Sequence, residues 1–362
     1  GFALLAIVLL HNLEHYNLFL VPENVPAWLQ IIDKYAWDIL FFLFAGKAYA
    51  TFSLLFGFSF YIQFHNAEKR GIDFRGRFAW RMCLLFLFAQ LHALFYNGDI
   101  LLLYAVVGFA LIPVCKLKDK TVFWIALILL LQPYEWGRAI YAMINPDYVV
   151  STGHFMPYAM RAQEATANGN FFEVLCSNIW QVENGRLFQT AALFMFGMLL
   201  GRRKYLIKSE ESVRFWKKML KGAVLAFIPL YCLKTFVPDL LTNPSVQIPY
   251  KIAVPSYANF AFMIILVSIF TLLWFKKEKG YGWQSLLIPY GRMSLTNYIS
   301  QSIMGVIIYY GFGLAMYKYA GATASLLIAL LIFTVQLIFS RWWLARHKQG
   351  PLEFLWRKGT WI

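Results

Sequence analysis

The chain has 362 residues, of which 60% are hydrophobic and 19% aromatic, while only 14% are charged. Soluble domains carry about 25% charged residues, so the composition excludes an ordinary soluble protein and indicates a membrane protein. The net charge of +15 would suit a nucleic-acid partner. Most basic residues, however, lie in short segments between apolar stretches, which is typical of membrane proteins, and we expect no nucleic-acid binding.

Ten apolar stretches are long enough, or nearly so, to span a bilayer as helices, which takes about 20 residues. They lie near residues 1–20, 39–64, 78–96, 99–116, 121–143, 186–201, 221–237, 256–275, 292–314 and 321–344. The sequence therefore predicts an all-α, polytopic integral membrane helix bundle that forms a single domain over residues 1–362. Because the first residue is a glycine inside an apolar stretch, we expect the natural chain to extend further upstream.

Most of the 33 Lys and Arg residues fall on one side of the membrane if the N-terminus is cytoplasmic. The positive-inside rule then predicts two cytoplasmic termini and a multi-pass protein of the bacterial inner membrane. On the cytoplasmic side, the basic and aromatic segment 202–221 predicts an interfacial helix, and the tail 345–362 predicts a turn and a short anchoring helix. On the outer side, the segment 145–185 predicts short amphipathic helices or a lid.

Ionisable side chains inside the predicted spans indicate a functional site. In the first span His11, Glu14 and His15 are spaced i, i+3 and i+4, which places them on one face of a helix. The same topology brings four further groups to a similar depth, namely Lys47, His92, Asp99 and Arg186. Intramembrane charges are costly and usually functional; the alternative is that each one only bonds to a neighbouring helix.

These residue types suit general-base catalysis. His11 or His15 would remove a proton from a hydroxyl or amine, with Glu14 or Asp99 orienting the imidazole. Lys47 or Arg186 would then stabilise an oxyanion or hold an anionic acceptor. His92 and Asp99 also fit a simpler interpretation as a pair that caps a helical hairpin.

The pentapeptide from His11 to His15 also fits the His-x-x-Glu-His pattern of inverted zinc proteases, in which the histidines bind metal. A zinc site would need a third ligand, for which His92 and Asp99 are candidates. A five-residue pattern has low specificity, so zinc is an alternative and the main interpretation predicts no metal.

A second polar surface lies on the ninth span. Asn297 and Gln301 are i, i+4 partners, and Arg292 extends their surface towards the cytoplasm. Such a stripe would line a passage for a polar or phosphorylated ligand; the alternative is hydrogen bonding between helices.

Several segments resemble the YeiB-like family of bacterial inner-membrane proteins, which is named for a domain of unknown function (418). The matching segments are 1–5, 46–47, 51–58, 92–94, 98–101, 291–298 and 350–353. The resemblance runs from end to end, and its last two segments are the most specific. It implies a helical membrane fold but no defined activity.

A remoter resemblance is to the transmembrane acyltransferases, in which a histidine of the first helix would correspond to His11. This resemblance implies transfer of an acyl group from cytoplasmic acyl-CoA, acetyl-CoA first, to an acceptor on the far side. Arg292, Lys276 and Lys277 would contact the CoA phosphates, and Arg186, Asn297 and Gln301 would bind the acceptor. We expect a sugar, a glycolipid or a similar acceptor, together with membrane lipid, as partners, and leave a homo-oligomer open.

Two other functions are compatible with the same residues. A transporter or flippase of a small organic anion or lipid would use the polar cluster as a binding site, although we find no internal repeat of the kind that many transporters contain. A metal-dependent membrane hydrolase would use the His-x-x-Glu-His pattern. A passage from the cytoplasm would favour acyl transfer, two opposed gates would favour transport, and a tetrahedral site would favour metal.

Overall fold

The computed structural model describes residues 1–16, 22, 25–96, 98–145, 147–152, 180–276 and 282–361. These residues form α-helices joined by turns, and no strand occurs among them. The prediction of an all-α fold is therefore confirmed. The middle of the outward segment 145–185, where short helices or a lid were predicted, lies outside the described residues, as does Lys277.

The helices of the N-terminal half are α1 (Phe2–Leu13), α2 (Ala27–Phe44), α3 (Ala48–Glu68), α4 (Arg75–Ala93), α5 (Leu101–Gly108), α6 (Leu111–Val114), α7 (Asp119–Leu130) and α8 (Pro133–Ile144). Those of the C-terminal half are α9 (Trp180–Glu183), α10 (Arg186–Arg202), α11 (Glu210–Phe236), α12 (Pro244–Lys276), α13 (Trp283–Arg292), α14 (Ser294–Tyr309), α15 (Ala322–Leu344) and α16 (Pro351–Thr360). Single turns of 3₁₀-helix occur at Pro238–Leu240 and Met316–Lys318.

Among the described residues, four helical stretches are long and apolar enough to cross a membrane. They are Ala27–Glu68, Glu210–Leu240, Pro244–Lys276 and Ala322–Leu344, and Phe2–Leu13 is a shorter apolar helix. The last of the four presents Leu327, Leu331 and Ile338 to its surroundings, each more than 60% exposed. A helix with large apolar side chains on its outer face suits lipid and not water, so the chain is a membrane protein.

Several predicted spans are divided, because single residues with a left-handed backbone end the helices. The predicted span 1–20 ends as a helix at Leu13, and His15 and Tyr16 follow with φ values of 52° and 53°. The predicted span 39–64 is wrong in its bounds, since α2 and α3 meet at Gly46, whose φ is 76°.

The predicted span 121–143 is also two helices. Gln132 adopts φ 53° and is followed by Pro133, which cannot donate the backbone hydrogen bond that a continuous helix needs. The segment 202–221 is not a separate interfacial helix, because α11 begins at Glu210 and continues without a break to Phe236. Ser209 starts that helix by accepting a hydrogen bond from the Ser212 amide at 3.0 Å.

Two glycines allow α3 and α10 to pack with their backbones in close approach. A Cβ at Gly57 would lie 1.9 Å from the carbonyl oxygen of Phe194, and one at Gly197 would lie 1.9 Å from that of Leu54. Inside lipid the hydrophobic effect does not drive helices together. Close packing between small residues stabilises such crossings instead. This contact fixes the position of α3, one face of which lines a cavity described below.

The C-terminal tail closes the N-terminal end of α14. Glu353, on α16, accepts hydrogen bonds from the amides of Leu295 and Thr296 at 2.7 and 3.0 Å and from the Thr296 hydroxyl at 2.6 Å. The first amides of a helix have no partner within the helix, and a carboxylate there also interacts favourably with the helix dipole. The two most family-like segments of the sequence, 291–298 and 350–353, therefore contact each other.

Replacing Glu353 with Ala is expected to destabilise the protein by about 1–2 kcal/mol, the usual cost of losing a helix cap. In detergent this loss should lower the apparent unfolding temperature by a few degrees. Glu353→Gln is the matched control, because the amide oxygen can still accept one of the bonds and should retain part of the stability. Equal stability of wild type and Glu353→Ala would show that the contact contributes nothing.

Candidate functional site

The end of α1 separates the polar residues that the sequence places together. Because the helix stops at Leu13, His15 does not continue the face that bears His11, and the prediction of one shared face is wrong. The buried amide of Asn12 holds the turn: it donates to the Val8 carbonyl at 2.8 Å and accepts from the Tyr309 hydroxyl at 3.1 Å. The two histidines consequently have different neighbours.

His11 is half-buried and is surrounded by polar and aromatic side chains. Its Nδ1 lies 3.3 Å from the Nε2 of Gln301, and its ring centre lies 4.4 Å from that of Tyr96 and 6.0 Å from that of Tyr298. The Oε1 of Gln301 has no hydrogen-bond partner among the described residues. Rotating this amide by 180° would give Oε1 the Nδ1–H of His11 as a donor and leave Nε2 of the imidazole free to accept a proton.

His15 is packed into the interior. Its side chain is 2% exposed, its Nε2 lies 2.9 Å from the Ser325 hydroxyl, and its ring stacks on Tyr309 at 4.6 Å. These contacts join the end of α1 to α14 and α15. Of the two histidines that the sequence leaves as candidate bases, His11 is the less buried.

His92 and Asp99 form a fully buried pair near His11. The Nδ1 of His92 lies 3.1 Å from the Oδ1 of Asp99, at an angle outside hydrogen-bond geometry, and both side chains are 0% exposed. The same oxygen accepts a hydrogen bond from the Tyr298 hydroxyl and one from the Leu101 amide, each at 3.0 Å. The contact with Leu101 supports the capping interpretation of Asp99, whereas Tyr298 connects the pair to α14.

Part of this pair remains without partners. Within the described part of the chain, the Nε2 of His92 and the Oδ2 of Asp99 have no hydrogen-bond partner, although both are buried. Buried polar groups almost always have one. Unpaired atoms on a buried imidazole and carboxylate are therefore an unusual feature of this pair.

Arg186 joins this cluster to the turn between α4 and α5. It donates to the Oε1 of Gln181, whose Nε2 donates to the Gly98 carbonyl at 3.1 Å. The guanidinium lies 4.9 Å from the ring of Tyr49, a cation–π contact. It also interacts electrostatically with Glu14, which accepts a hydrogen bond from Tyr96 at 3.3 Å.

The structure thus brings together most of the predicted site but not all of it. His11, Glu14, His92, Asp99, Arg186 and Gln301 form one polar cluster. Asn297 does not join them, because its amide donates to the Tyr290 carbonyl at 2.9 Å and to the Ser340 hydroxyl at 3.0 Å. Lys276 is exposed at the end of α12, and Lys47 lines a separate cavity with Arg186.

The zinc alternative finds no geometric support in the part of the chain that the structure describes. No group of three or more His, Cys, Asp or Glu side chains there is arranged to hold a metal ion. His11 and His15, the two ligands that the pattern would supply, face different neighbours.

A cavity of about 280 Å³ lies along α3. It follows one face of that helix through Phe52, Leu55, Phe56, Ser59, Phe60 and Gln63. From Phe52 to Gln63 this face is about 16 Å long at 1.5 Å per residue. At the Gln63 end the cavity is lined by Arg81, Trp356, Gly291 and Ser294, and at its deep end by Tyr104 and Tyr298. We call it the α3–α4 cavity.

Tyr298 separates the α3–α4 cavity from the polar cluster. Its side chain lines the cavity, while its hydroxyl donates to Asp99. Sequence reasoning missed Tyr298 and also Arg81, whose guanidinium stacks on Trp356 at 3.9 Å. A tyrosine inside an apolar helix gives no signal that separates a site residue from a packed or lipid-facing one.

The helices and the buried polar cluster together define a helical membrane protein with a polar cluster in its interior. Residues 200–362 match the family described as a protein of unknown function (DUF418). The chain is 27% identical to the uncharacterized protein YxaH of Bacillus subtilis, over 98% of this chain and 91% of that protein. It is 29% identical to an uncharacterized 39.9 kDa protein of Bacillus acidopullulyticus, over 99% of this chain and 91% of that protein. It is 27% identical to the uncharacterized protein YeiB of Escherichia coli, over 99% of this chain and 94% of that protein.

The chain is therefore similar to the DUF418 family over residues 200–362, and to these relatives over nearly its whole length. No solved structure matches it. The family identifies the type of protein but not its activity, so the function has to be argued from the site.

Proposed function

We propose that this protein is a multi-pass acyltransferase of the bacterial inner membrane, with about ten spans and both termini in the cytoplasm. It would move an acyl group from cytoplasmic acyl-CoA, acetyl-CoA first, to a hydroxyl or amine of a sugar, a glycolipid or a similar acceptor on the far side. The observation that supports this function best is the α3–α4 cavity, which ends at Tyr298 against the buried polar cluster.

The distribution of charge supports the cytoplasmic location of the cavity entrance. Arg75, Arg77 and Arg81 lie at the start of α4, near the Gln63 end of the cavity. Arg202 and Arg203, at the end of α10, both contact Asp119 at the start of α7. Under the positive-inside rule this basic face is cytoplasmic, so the cavity would open to the compartment that contains acyl-CoA.

The lining of the cavity suits a thioester on a slender arm. Apolar side chains of α3, α4 and α14 form its walls, and Ser59, Gln63 and Ser294 add a few polar contacts. Arg81 lines the entrance, and Arg292 follows Gly291 with an exposed side chain that donates to the Lys348 carbonyl at 2.9 Å. Both cations would be available to the phosphates of CoA, which a guanidinium binds well.

In the proposed reaction His11 acts as the general base. Its Nε2 removes the proton from the acceptor hydroxyl or amine, whose oxygen or nitrogen attacks the carbonyl carbon of the thioester. The carbon–sulfur bond then breaks, the imidazolium returns its proton to the departing thiolate, and CoA leaves as the thiol through the α3–α4 cavity. Glu14 lies in the same cluster, where it accepts a hydrogen bond from the Tyr96 hydroxyl.

Transport is the second candidate, because cavities approach the polar cluster from two directions. Lys47 and Arg186 line a cavity at the opposite end of α3 from Gln63. A transporter of small organic anions would use the layer around His11 and Tyr298 as a barrier between these cavities. Acyl-CoA binding distinguishes the two functions, since a transporter of this kind has no need of a CoA site.

The test is a thermal-shift titration of the detergent-purified protein with acetyl-CoA, and with free CoA and palmitoyl-CoA alongside it. Acyl transfer predicts a saturable increase of the unfolding temperature, weakened in Arg292→Ala. No shift with any thioester, in a sample that unfolds cooperatively, would reject acyl transfer and leave anion transport to be tested by uptake into proteoliposomes.

A further inference from the structure

The cavity lined by Lys47 and Arg186 contains an unusual concentration of positive charge. It has a volume of about 460 Å³, lies at the N-terminal end of α3, and is also lined by Lys234 and Lys251. No Asp or Glu side chain is among the described residues that line it. We call it the cationic cavity.

Lys47 has no counter-ion in the part of the chain that the structure describes. Lys47 is only 6% exposed. Its ammonium group lies 5.7 and 5.5 Å from the ring centres of Phe42 and Phe262. Among the described residues, no carboxylate lies within ion-pair distance of any of the four cations. An unpaired buried charge is costly, so a site that retains one is suited to an anion supplied from outside.

The neighbouring cations increase the cost of burying the charge of Lys47. Lys234, which is half-buried on α11, is close enough to Lys47 for the two ammonium groups to repel each other. Arg186 is held between the rings of Tyr49 and Trp180 at 4.9 and 4.8 Å. A guanidinium presents its N–H groups in one plane, which matches the oxygens of a phosphate.

We propose that the cationic cavity binds the phosphoryl group of a small organic phosphate. A phosphoryl group carries about −1.5 to −2 charges at neutral pH, which suits several converging cations better than one carboxylate does. The amides of Asn184, Gln189 and Asn259 also line the cavity and can bond hydroxyl groups. The volume lies within the range of about 300–1,000 Å³ for small-molecule sites, which leaves room for a sugar beside the phosphate.

This site gives the proposed reaction an acceptor class. Arg186 lines the cationic cavity and also interacts with Glu14 of the polar cluster, so a ligand held there would lie beside the His11 region. That the ligand is the acyl acceptor rests on the proposed function, whereas binding of the phosphate does not. Two sources share this chemistry, a free sugar phosphate and the phosphate of a lipid headgroup.

The experiment is calorimetric or thermal-shift titration of the detergent-purified full chain at constant ionic strength, without acyl-CoA. Glucose 6-phosphate tests the free source and dihexanoyl phosphatidic acid the lipid source, with glucose and chloride as controls. Saturable binding of either phosphate, and none of glucose, is the expected result. A response to the lipid alone would also support the site and would assign its source.

Variants at two of the four cations test whether the positive charge of the cavity binds the phosphate. Lys47→Met removes the charge at similar length and should weaken binding about thirtyfold or more, in line with the loss of one partner of a buried charge pair. Lys234→Met is the second variant, because its half-buried position makes folding less sensitive, and it should weaken binding too. Lys34→Met, at an exposed position on α2, should bind like wild type.

Two results would overturn the proposal: no phosphate response in folded wild-type protein, or equal binding by wild type, Lys47→Met and Lys234→Met. Because the titration contains no acyl-CoA, its failure would leave the acyltransferase proposal standing. A failure to bind acyl-CoA would likewise leave the phosphate site standing.

Discussion

Replacing His11 with Ala is expected to reduce the rate of acyl transfer by about 10²–10⁴-fold, the usual contribution of a general base. The variant should still fold, because His11 is half-buried and its one described hydrogen-bond contact is with Gln301 at 3.3 Å. Rates measured with labelled acetyl-CoA, together with the unfolding temperature in the same detergent, separate these two effects.

His15→Ala is the matched control from the same turn. It removes the contact with Ser325 and the stacking on Tyr309, so its main effect should be a loss of stability of about 1–3 kcal/mol, the cost of leaving a buried polar group unpaired. If His11→Ala lost stability to the same extent and kept its activity per folded molecule, His11 would be a structural residue.

Filling the α3–α4 cavity should weaken binding of the donor. Ser59 lies halfway along the face of α3 that lines this cavity, and Leu85 of α4 lines it as well. A Trp at position 59 would occupy the space through which the thioester arm has to pass. We expect Ser59→Trp to weaken acetyl-CoA binding about tenfold or more, which corresponds to about 1.4 kcal/mol.

Ser59→Ala is the control, since it removes the hydroxyl without filling the cavity, and it should bind acetyl-CoA within about twofold of wild type. The measurement is the same thermal-shift titration with acetyl-CoA. Wild-type affinity in a folded Ser59→Trp protein would mean that the donor does not use this cavity, whichever reaction the protein catalyses.

The sequence predicts the class of fold well because lipid imposes a strong compositional signal. Long apolar stretches and the absence of charge in them are local properties, and they agree with α11, α12 and α15. The breaks at Gly46 and Gln132 were not predicted. Each depends on a single residue with a left-handed backbone, and such a conformation is stabilised by contacts that are distant in sequence.

The candidate site, like the fold, was predictable from the sequence only in part. His11, Glu14, His92 and Asp99 are recognisable because ionisable residues are rare inside apolar stretches. The separation of His11 from His15 was not predictable, since helical spacing assumes that the helix continues. Lys234 and Lys251 did leave a signal, because they are basic residues outside the basic segments of the chain, but only the structure brings them to Lys47.

The most direct test of acyl transfer across the membrane uses sealed vesicles of both orientations from cells that overproduce the protein. Labelled acetyl-CoA is added outside, and label in envelope lipids and glycans is measured for wild type and His11→Ala. Inside-out vesicles, which expose the cytoplasmic face, should incorporate label with the wild-type protein only, and right-side-out vesicles should not. Equal incorporation by wild type and His11→Ala, or incorporation only in right-side-out vesicles, would contradict a donor site that opens to the cytoplasm.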